Sequence, residues 1–179
     1  MGTGSSVNSG DVITAVKMNL KLEDVEGTDL HPTNDYVERT FLVNAFVCPA
    51  PGTDWTPQLE GVGLAASKSA KKCWLPLNFL KIGDVIKSYK LVGDVVETTA
   101  ATLDCKLVQV DKADPLSSTD VTNGAITQVT ADGNFDSEAN CDDTTVETDK
   151  QYVLEILGTT GADDAITVIG AEVVISRKL

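Results

Sequence analysis

The feature that most constrains the fold is a series of short segments in which apolar and polar residues alternate, separated by turn residues. Residues 101–110 carry the clearest example, with Leu103, Cys105 and Leu107 on one side and polar or charged neighbours on the other. Alternation with a period of two is typical of a β-strand that buries one face. About seven such segments follow one another along the chain. They predict a mainly β protein, an antiparallel β-sandwich or jelly-roll-like domain.

A central stretch, Trp74–Glu97, contains two Gly-Asp pairs, at 83–84 and at 93–94. Apolar residues precede the first pair, and a run of β-branched and aromatic residues lies between the two pairs. Such runs bounded by turn residues suit a half-buried pleated surface. The stretch therefore predicts a strand, a turn, a second strand and a second turn.

Two further apolar segments, residues 151–157 and 165–176, flank a turn region near the C-terminal end. Their spacing predicts an antiparallel hairpin. Gly170 interrupts the second segment, which indicates a bulge or a close approach of another backbone.

A different pattern precedes the β-rich part. Between Thr14, an N-cap candidate, and Gly27, a C′ candidate, apolar residues recur at helical spacings of three and four. A helix this short is marginal alone, so its stripe must pack on its own domain or on copies of itself around a symmetry axis. We therefore divide the chain into an assembly arm with a short helix, residues 1–30, and a β-sandwich domain, residues 31–179. The apolar stripe consists of Ala15, Met18, Leu22 and Val25.

The charge balance limits the partners. Fourteen basic residues against 27 acidic residues give a net charge of -13. A field of this sign repels a phosphate backbone, so we expect no nucleic-acid partner. No run reaches the roughly 18 apolar residues of a membrane span, so we expect no membrane partner either.

Catalytic and zinc-binding patterns are missing from the sequence. The single histidine, His31, precedes a proline on a polar loop and has no evident partner, and no nucleophile or phosphate-loop motif occurs. We therefore expect no enzymatic activity and no cofactor. The cysteines form no Cys-x-x-Cys pair, which favours buried thiols over zinc ligands and leaves two disulfides as the alternative. They are Cys48, Cys73, Cys105 and Cys141.

The acidic segment 132–143 has oxygen donors at the alternating spacing of a calcium loop. Ser137 stands where such a loop needs glycine, and the last donor is an aspartate rather than a bidentate glutamate. An acidic surface loop is the preferred interpretation. A calcium-dependent carbohydrate-binding module, the alternative, would depend on these residues alone. The candidate ligands are Asp132, Asn134, Asp136, Glu138 and Asp143, with Asn140 between the last two.

Two features indicate possible partner contacts. Trp55 lies in a proline-rich loop, where it either contacts a partner, as exposed tryptophans often do, or folds back over the core. Lys68, Lys71 and Lys72 form a small basic cluster that is either a solvated face or a docking point for an acidic neighbour.

The run Ser9–Asn19, SGDVITAVKMN, resembles a motif near the start of trimeric fibre and decoration proteins of tailed-phage virions. In those proteins the motif leads into a short helix at or near the threefold axis. Later pieces, at 75–77, 82–86, 93, 103–104, 152–154 and 170–173, are similar to the β-rich domain of phage structural proteins.

This resemblance implies a virion protein made in the host cytoplasm, most simply a homotrimeric capsid decoration, or cement, protein that binds the major capsid protein and stabilises the shell. The alternative is a short head-fibre, tail-fibre or receptor-binding subunit that binds host-surface glycan. The sequence has no extended coiled coil and no collagen-like repeat, which favours a compact protein over a long fibre. The implied trimer interface consists of Ile13, Ala15, Met18, Leu22 and Val25.

Overall fold

The computed structural model describes residues 36–45, 54–113, 117–122 and 124–178, so the predicted N-terminal helix lies outside the described residues. The described residues form eleven β-strands, all paired antiparallel. They are β1 (Tyr36–Asn44), β2 (Trp55–Pro57), β3 (Val62–Leu64), β4 (Lys68–Pro76), β5 (Val85–Val96), β6 (Thr102–Asp111), β7 (Ser118–Asp120), β8 (Ile126–Val129), β9 (Gly133–Thr145), β10 (Lys150–Thr160) and β11 (Ala165–Lys178).

The strands form two sheets. Sheet A has the order β2-β3-β11-β5-β9, and β1 adds to β11 beside β3. Sheet B has the order β4-β10-β6-β7, and β8 pairs with the same strand as β7. The predicted class, an antiparallel β-sandwich, is confirmed, although the described residues contain more strands than the seven or so that the sequence predicted.

The long strands alternate between the sheets along the chain, which corrects the predicted C-terminal hairpin. β10 pairs with β4 and β6 in sheet B, whereas β11 pairs with β1, β3 and β5 in sheet A. Residues 161–164 therefore carry the chain from one sheet to the other. Alternation identifies the face that a strand buries but not its hydrogen-bonding neighbour, and two strands joined by a short turn can face each other across the core.

The central stretch agrees with its prediction at the first Gly-Asp pair, where Gly83 lies in the turn between β4 and β5 with a positive φ of 86°. The second predicted turn is wrong, because β5 continues through residues 93 and 94. A Cβ at Gly93 would collide with the carbonyl oxygen of Thr167 and with the ring of Phe135. Glycine at this position permits close packing within sheet A rather than a change of direction.

The acidic segment is also different from the prediction, because residues 133–145 form strand β9 instead of a loop. Phe135, Ala139 and Cys141 point into the core, and the acidic side chains lie on the exposed face. The inward positions include small residues, so the apolar half of the alternation is weak and the acidic half dominates the sequence pattern.

The core lies between the two sheets. Tyr89 on β5 is fully buried, and its hydroxyl donates a 2.8 Å hydrogen bond to the carbonyl oxygen of Cys105 on β6, across the core. Burial raises the pKa values of the Tyr89 hydroxyl and of the Cys105 thiol. Cys73, Cys105 and Cys141 are buried thiols that form no disulfide, as preferred from the sequence, and Cys48 lies outside the described residues.

Candidate functional site

Exposed apolar side chains collect on the outer side of sheet A, where β1, β11 and β5 meet. Leu42 is 80% exposed and Ile169 is 42% exposed. With Val92, Val43 and Ala171 they line a groove of about 280 Å³, called the Leu42 groove below. Large aliphatic side chains this exposed, grouped in one groove, are typical of a surface that another molecule covers.

The groove forms where two edge strands meet on one central strand. β1 pairs with β11 as far as Gly170, and β3 pairs with it from Val168, so Ile169 lies between the two neighbours. The register of β11 against β5 also shifts between Val168 and Gly170. A Cβ at Gly170 would collide with the carbonyl oxygen of Val43. The sequence predicted a bulge or a close backbone approach at Gly170, and the structure has a register shift and a close approach there.

The surface around the Leu42 groove is mainly acidic. One row of paired residues crosses four strands beside the groove. Its members, in order from β1 through β11 and β5 to β9, are Leu42, Glu172, Lys90 and Glu138. The ammonium of Lys90 is 3.1 Å from the carboxylate of Asp136, and this hydrogen bond raises the pKa of Lys90. The groove therefore fits an apolar side chain from a partner whose surrounding surface is basic.

Sequence reasoning did not identify this groove. Apolar and polar residues alternate in the sequence of β1, and Leu42 belongs to the mixed face, where it is the one large aliphatic residue among polar and aromatic neighbours. That contrast was the available signal. Val92 and Ile169 carry no such signal, because only the pairing of β1 and β5 with β11 brings them beside Leu42.

The predicted assembly residues in the arm cannot be compared with the structure. Ile13, Ala15, Met18, Leu22 and Val25 lie outside the described residues. Their role in a trimer stays a prediction.

The two suggested partner contacts near β2 and β4 have local partners. Trp55 is 2% exposed and its indole N–H donates to the carbonyl oxygen of Lys71 at 3.0 Å, so it is positioned as the lid over the core rather than as an exposed contact. Lys68 and Lys71 both pair with Asp54, at 3.0 and 2.7 Å. Hydrogen bonds from Lys71 and then Lys68 hold the pKa of Asp54 below its usual value.

Lys72 is separated from the other two lysines and pairs with Glu155 on β10 at 3.0 Å. The three lysines therefore do not form one basic surface. The expected cluster is divided because residues 68 and 71 reach towards Asp54, while residue 72 lies over the outer face of sheet B.

The calcium candidates lie along one extended strand and do not surround a common point. Side chains two residues apart on a strand share a face but are separated by roughly 7 Å along it, so a row of them cannot enclose one ion. Several of these side chains have other partners. Asp136 pairs with Lys90, and Asp143 pairs with Lys87 at 2.8 Å. The carboxylate of Asp132 accepts a hydrogen bond from the backbone N–H of Glu97. Within the described part of the chain, no group of three or more His, Cys, Asp or Glu residues is positioned to hold a metal ion. The calcium-loop interpretation of Asp132, Asn134, Asp136, Glu138 and Asp143 is therefore not supported.

No protein-family model matches the sequence, and no curated protein matches it. Among solved structures, the xylan-binding module CBM15 superposes with a TM-score of 0.51 at 14% identity, covering 80% of this chain and 100% of that chain. The endo-1,4-β-D-xylanase 10B of Clostridium thermocellum, in a structure of its CBM22-1 and GH10 modules, superposes with a TM-score of 0.45 at 18% identity. That match covers 82% of this chain but only 29% of the xylanase chain, and its overlap is too low to bear on the fold. The likeness to the first module is a likeness of fold, a two-sheet antiparallel sandwich.

Among the helices of the described residues, none is long and apolar enough to cross a membrane.

Proposed function

We propose that this protein is a non-catalytic structural protein of a tailed-phage virion, a homotrimeric capsid decoration protein that binds the assembled shell. The resemblance of residues 9–19 to the N-terminal motif of trimeric virion proteins supports the virion assignment. The observation that carries the binding function is the Leu42 groove on the sandwich domain.

The groove binds the major capsid protein. Burying a leucine that is 80% exposed contributes about 1.5–3 kcal/mol, so a few such contacts per subunit, repeated in a trimer, give stable attachment. The acidic side chains around the groove select a shell surface with basic residues beside an apolar one. The same acidic side chains disfavour contact between the grooves of two copies, because like charges repel.

Trimer formation depends on a different part of the chain, the apolar stripe of residues 15–25. In solution we expect the mass of a trimer for the full chain and of a monomer after removal of residues 1–27, measured by light scattering. The double variant Met18→Asp with Leu22→Asp should also be monomeric. A full chain that is monomeric, or a double variant that remains trimeric, would contradict this arrangement.

Shell binding is tested by co-sedimentation with shells of the major capsid protein from the same virus. We expect saturable, stoichiometric binding of the full chain, and Leu42→Asp should weaken it by about tenfold or more, because a charge replaces the buried side chain. Ile82→Asp is the matched control, since Ile82 is also large, apolar and 68% exposed but lies on the β4–β5 turn. Equal losses in both variants, or binding that Leu42→Asp does not change, would exclude the groove as the contact.

A short fibre or receptor-binding subunit is the second candidate function. One observation favours it: the fold resembles that of a module named for xylan binding, so the same architecture supports carbohydrate recognition elsewhere. This candidate predicts that the isolated protein binds a glycan without any capsid shell present.

A further inference from the structure

The outer face of sheet B carries a second surface. Unlike the mainly apolar Leu42 groove, it is lined by paired charged side chains. Two rows of outward side chains cross its three long strands in register. Trp74 on β4 lies opposite Glu155 on β10, which lies opposite Lys106 on β6. In the next row Lys72 lies opposite Leu157, which lies opposite Asp104.

Charged groups in these rows are already held in position. Glu155 is central, with a side chain only 14% exposed, and its carboxylate is 3.0 Å from the ammonium of Lys72 and 3.7 Å from that of Lys106. Lys106 also lies 3.7 Å from Asp120 on β7. Fixed donors and acceptors on rigid strands are suited to orienting a ligand, because little side-chain freedom remains to be lost on binding.

A cavity of about 300 Å³ opens beside this network, lined by Lys72, Asp104, Lys106, Glu155 and Leu157. Leu157 supplies an apolar floor, and the remaining side chains supply both hydrogen-bond donors and acceptors. This combination of apolar surface and a few positioned polar groups is the usual composition of a small-ligand site.

Trp74 adds an aromatic surface to the row that contains Glu155 and Lys106. The residues on either side of it, Cys73 and Leu75, point into the core, so the indole faces outward, and it is only partly buried. A partly exposed tryptophan offers a flat apolar face, against which the C–H face of a sugar ring can pack.

The charges decide the class of ligand. Among the residues that line the cavity, Lys72 and Lys106 balance Glu155 and Asp104. Asp120 is a further carboxylate beside Lys106, and the whole chain has a net charge of -13. A cationic or anionic ligand would have to break an existing ion pair, whereas sugar hydroxyls can accept from the lysines and donate to the carboxylates without unpairing them. An acidic glycan would also meet the repulsive field of the protein.

We propose that the Trp74–Glu155–Lys106 row and the adjoining cavity bind a neutral polysaccharide chain, with one sugar ring packed on Trp74. This proposal is separate from shell binding. It names the class of ligand for the second candidate function, and it rests on that function.

The test is calorimetric titration of the full chain with three neutral probes, xylohexaose, cellohexaose and mannohexaose, and with hexagalacturonate as a charged control. We expect at least one neutral probe to bind and hexagalacturonate not to bind. Tryptophan fluorescence reports the position: Trp55 is buried and hydrogen-bonded, so a change on binding arises from Trp74. If none of the neutral probes binds, the proposed neutral-polysaccharide site is excluded; the second candidate function then requires a glycan of another class, and shell binding is unaffected.

Variants locate the site. Trp74→Ala and Glu155→Gln should each weaken binding of the neutral probe by about tenfold or more. Glu155→Gln retains the shape of the side chain, so it stands in if Trp74→Ala fails to fold. The matched control is Lys87→Ala, which removes a paired lysine from β5 in sheet A and should leave affinity unchanged. If the probe binds but neither variant weakens that binding relative to the control, the sugar binds elsewhere on the protein. The proposed site is then excluded, while the second candidate function is not.

Discussion

Asp164 illustrates how a single carboxylate fixes the connection between the two sheets. It is 1% exposed and accepts backbone N–H hydrogen bonds from Thr98 at 2.7 Å, Thr99 at 2.9 Å, Ala100 at 2.9 Å and Gly161 at 2.7 Å. The first three donors lie between β5 and β6, and the fourth lies between β10 and β11. Burial alone would raise the pKa of Asp164, but the N–H donors outweigh it and hold this pKa far below its usual value.

Replacing Asp164 by Asn should destabilise the protein and change its dependence on pH. The unfolded carboxyl has a pKa of about 3.9, above that of the folded state, so its contribution is complete above about pH 4 and is lost as the pH falls further. We expect Asp164→Asn to lower the Tm at pH 7 by roughly 5 °C or more. The difference in Tm between the unsubstituted protein and this variant should decrease towards about pH 2. Melting curves followed by circular dichroism measure both effects.

Asp163→Asn is the matched control for this experiment, since Asp163 is the exposed neighbour on the same turn. A Tm loss in Asp163→Asn equal to that in Asp164→Asn would contradict the assignment. So would a gap at low pH as large as the gap at pH 7.

At the scale of single elements, β1 is the strand whose attachment determines the candidate surface, because it carries Leu42. Among the described strands it pairs only with β11, and the ring of Phe41 stacks on that of Phe79 with centroids 4.4 Å apart. The Arg177 guanidinium lies 5.2 Å from the centre of the Phe41 ring and donates to both carboxylate oxygens of Asp84, at 2.8 and 2.7 Å. Burial would raise the pKa of Asp84, but the bonds from Arg177 and from the Lys81 amide hold it below its usual value.

Gly170→Ala tests how closely β1 must approach β11. The added Cβ would meet the Val43 carbonyl oxygen, which is backbone and cannot rotate away, so the end of β1 must shift. We expect a loss of stability of about 1–3 kcal/mol, as for other overpacked positions, with faster hydrogen exchange of the amides in 36–44. Amides of β10 are the internal control, since β10 lies in the other sheet. Unchanged exchange in β1, or equal acceleration in β10, would contradict this account.

At the scale of the whole molecule, the distribution of charge is the dominant feature. Several ion pairs lie on the surface, such as Lys90–Asp136 and Lys87–Asp143, and each partner is substantially exposed. Exposed pairs contribute little to stability, whereas a net charge of -13 produces repulsion across the entire fold. The balance of the two effects determines how the protein responds to salt.

We expect the Tm at pH 7 to rise as sodium chloride increases from about 0.01 M to about 0.15 M, because the Debye length shortens from roughly 30 Å to 8 Å and repulsion is screened. Calorimetry on the full chain measures this directly. A fall in Tm over the same range would mean that the surface ion pairs contribute more than the net repulsion costs.

Much of the fold followed from local patterns. The predicted segments 101–110, 151–157 and 165–176 correspond closely to β6, β10 and β11, because a strand that buries one face imposes a period of two on its own residues. Alternation missed β9, where the inward residues include small ones. The Gly-Asp pair at 93–94 predicted a turn where close packing against Thr167 is the actual requirement.

The sequence by itself determined that the protein is an acidic, strand-rich sandwich, since composition, charge and periodicity are properties of short segments. Only the tertiary structure decided which strands are neighbours, and therefore which side chains form a surface. Leu42, Val92 and Ile169 come from three distant segments, as do Trp74, Glu155 and Lys106. Each group exists because strand register sets residues far apart in the chain side by side, and register depends on long-range pairing that no local pattern encodes.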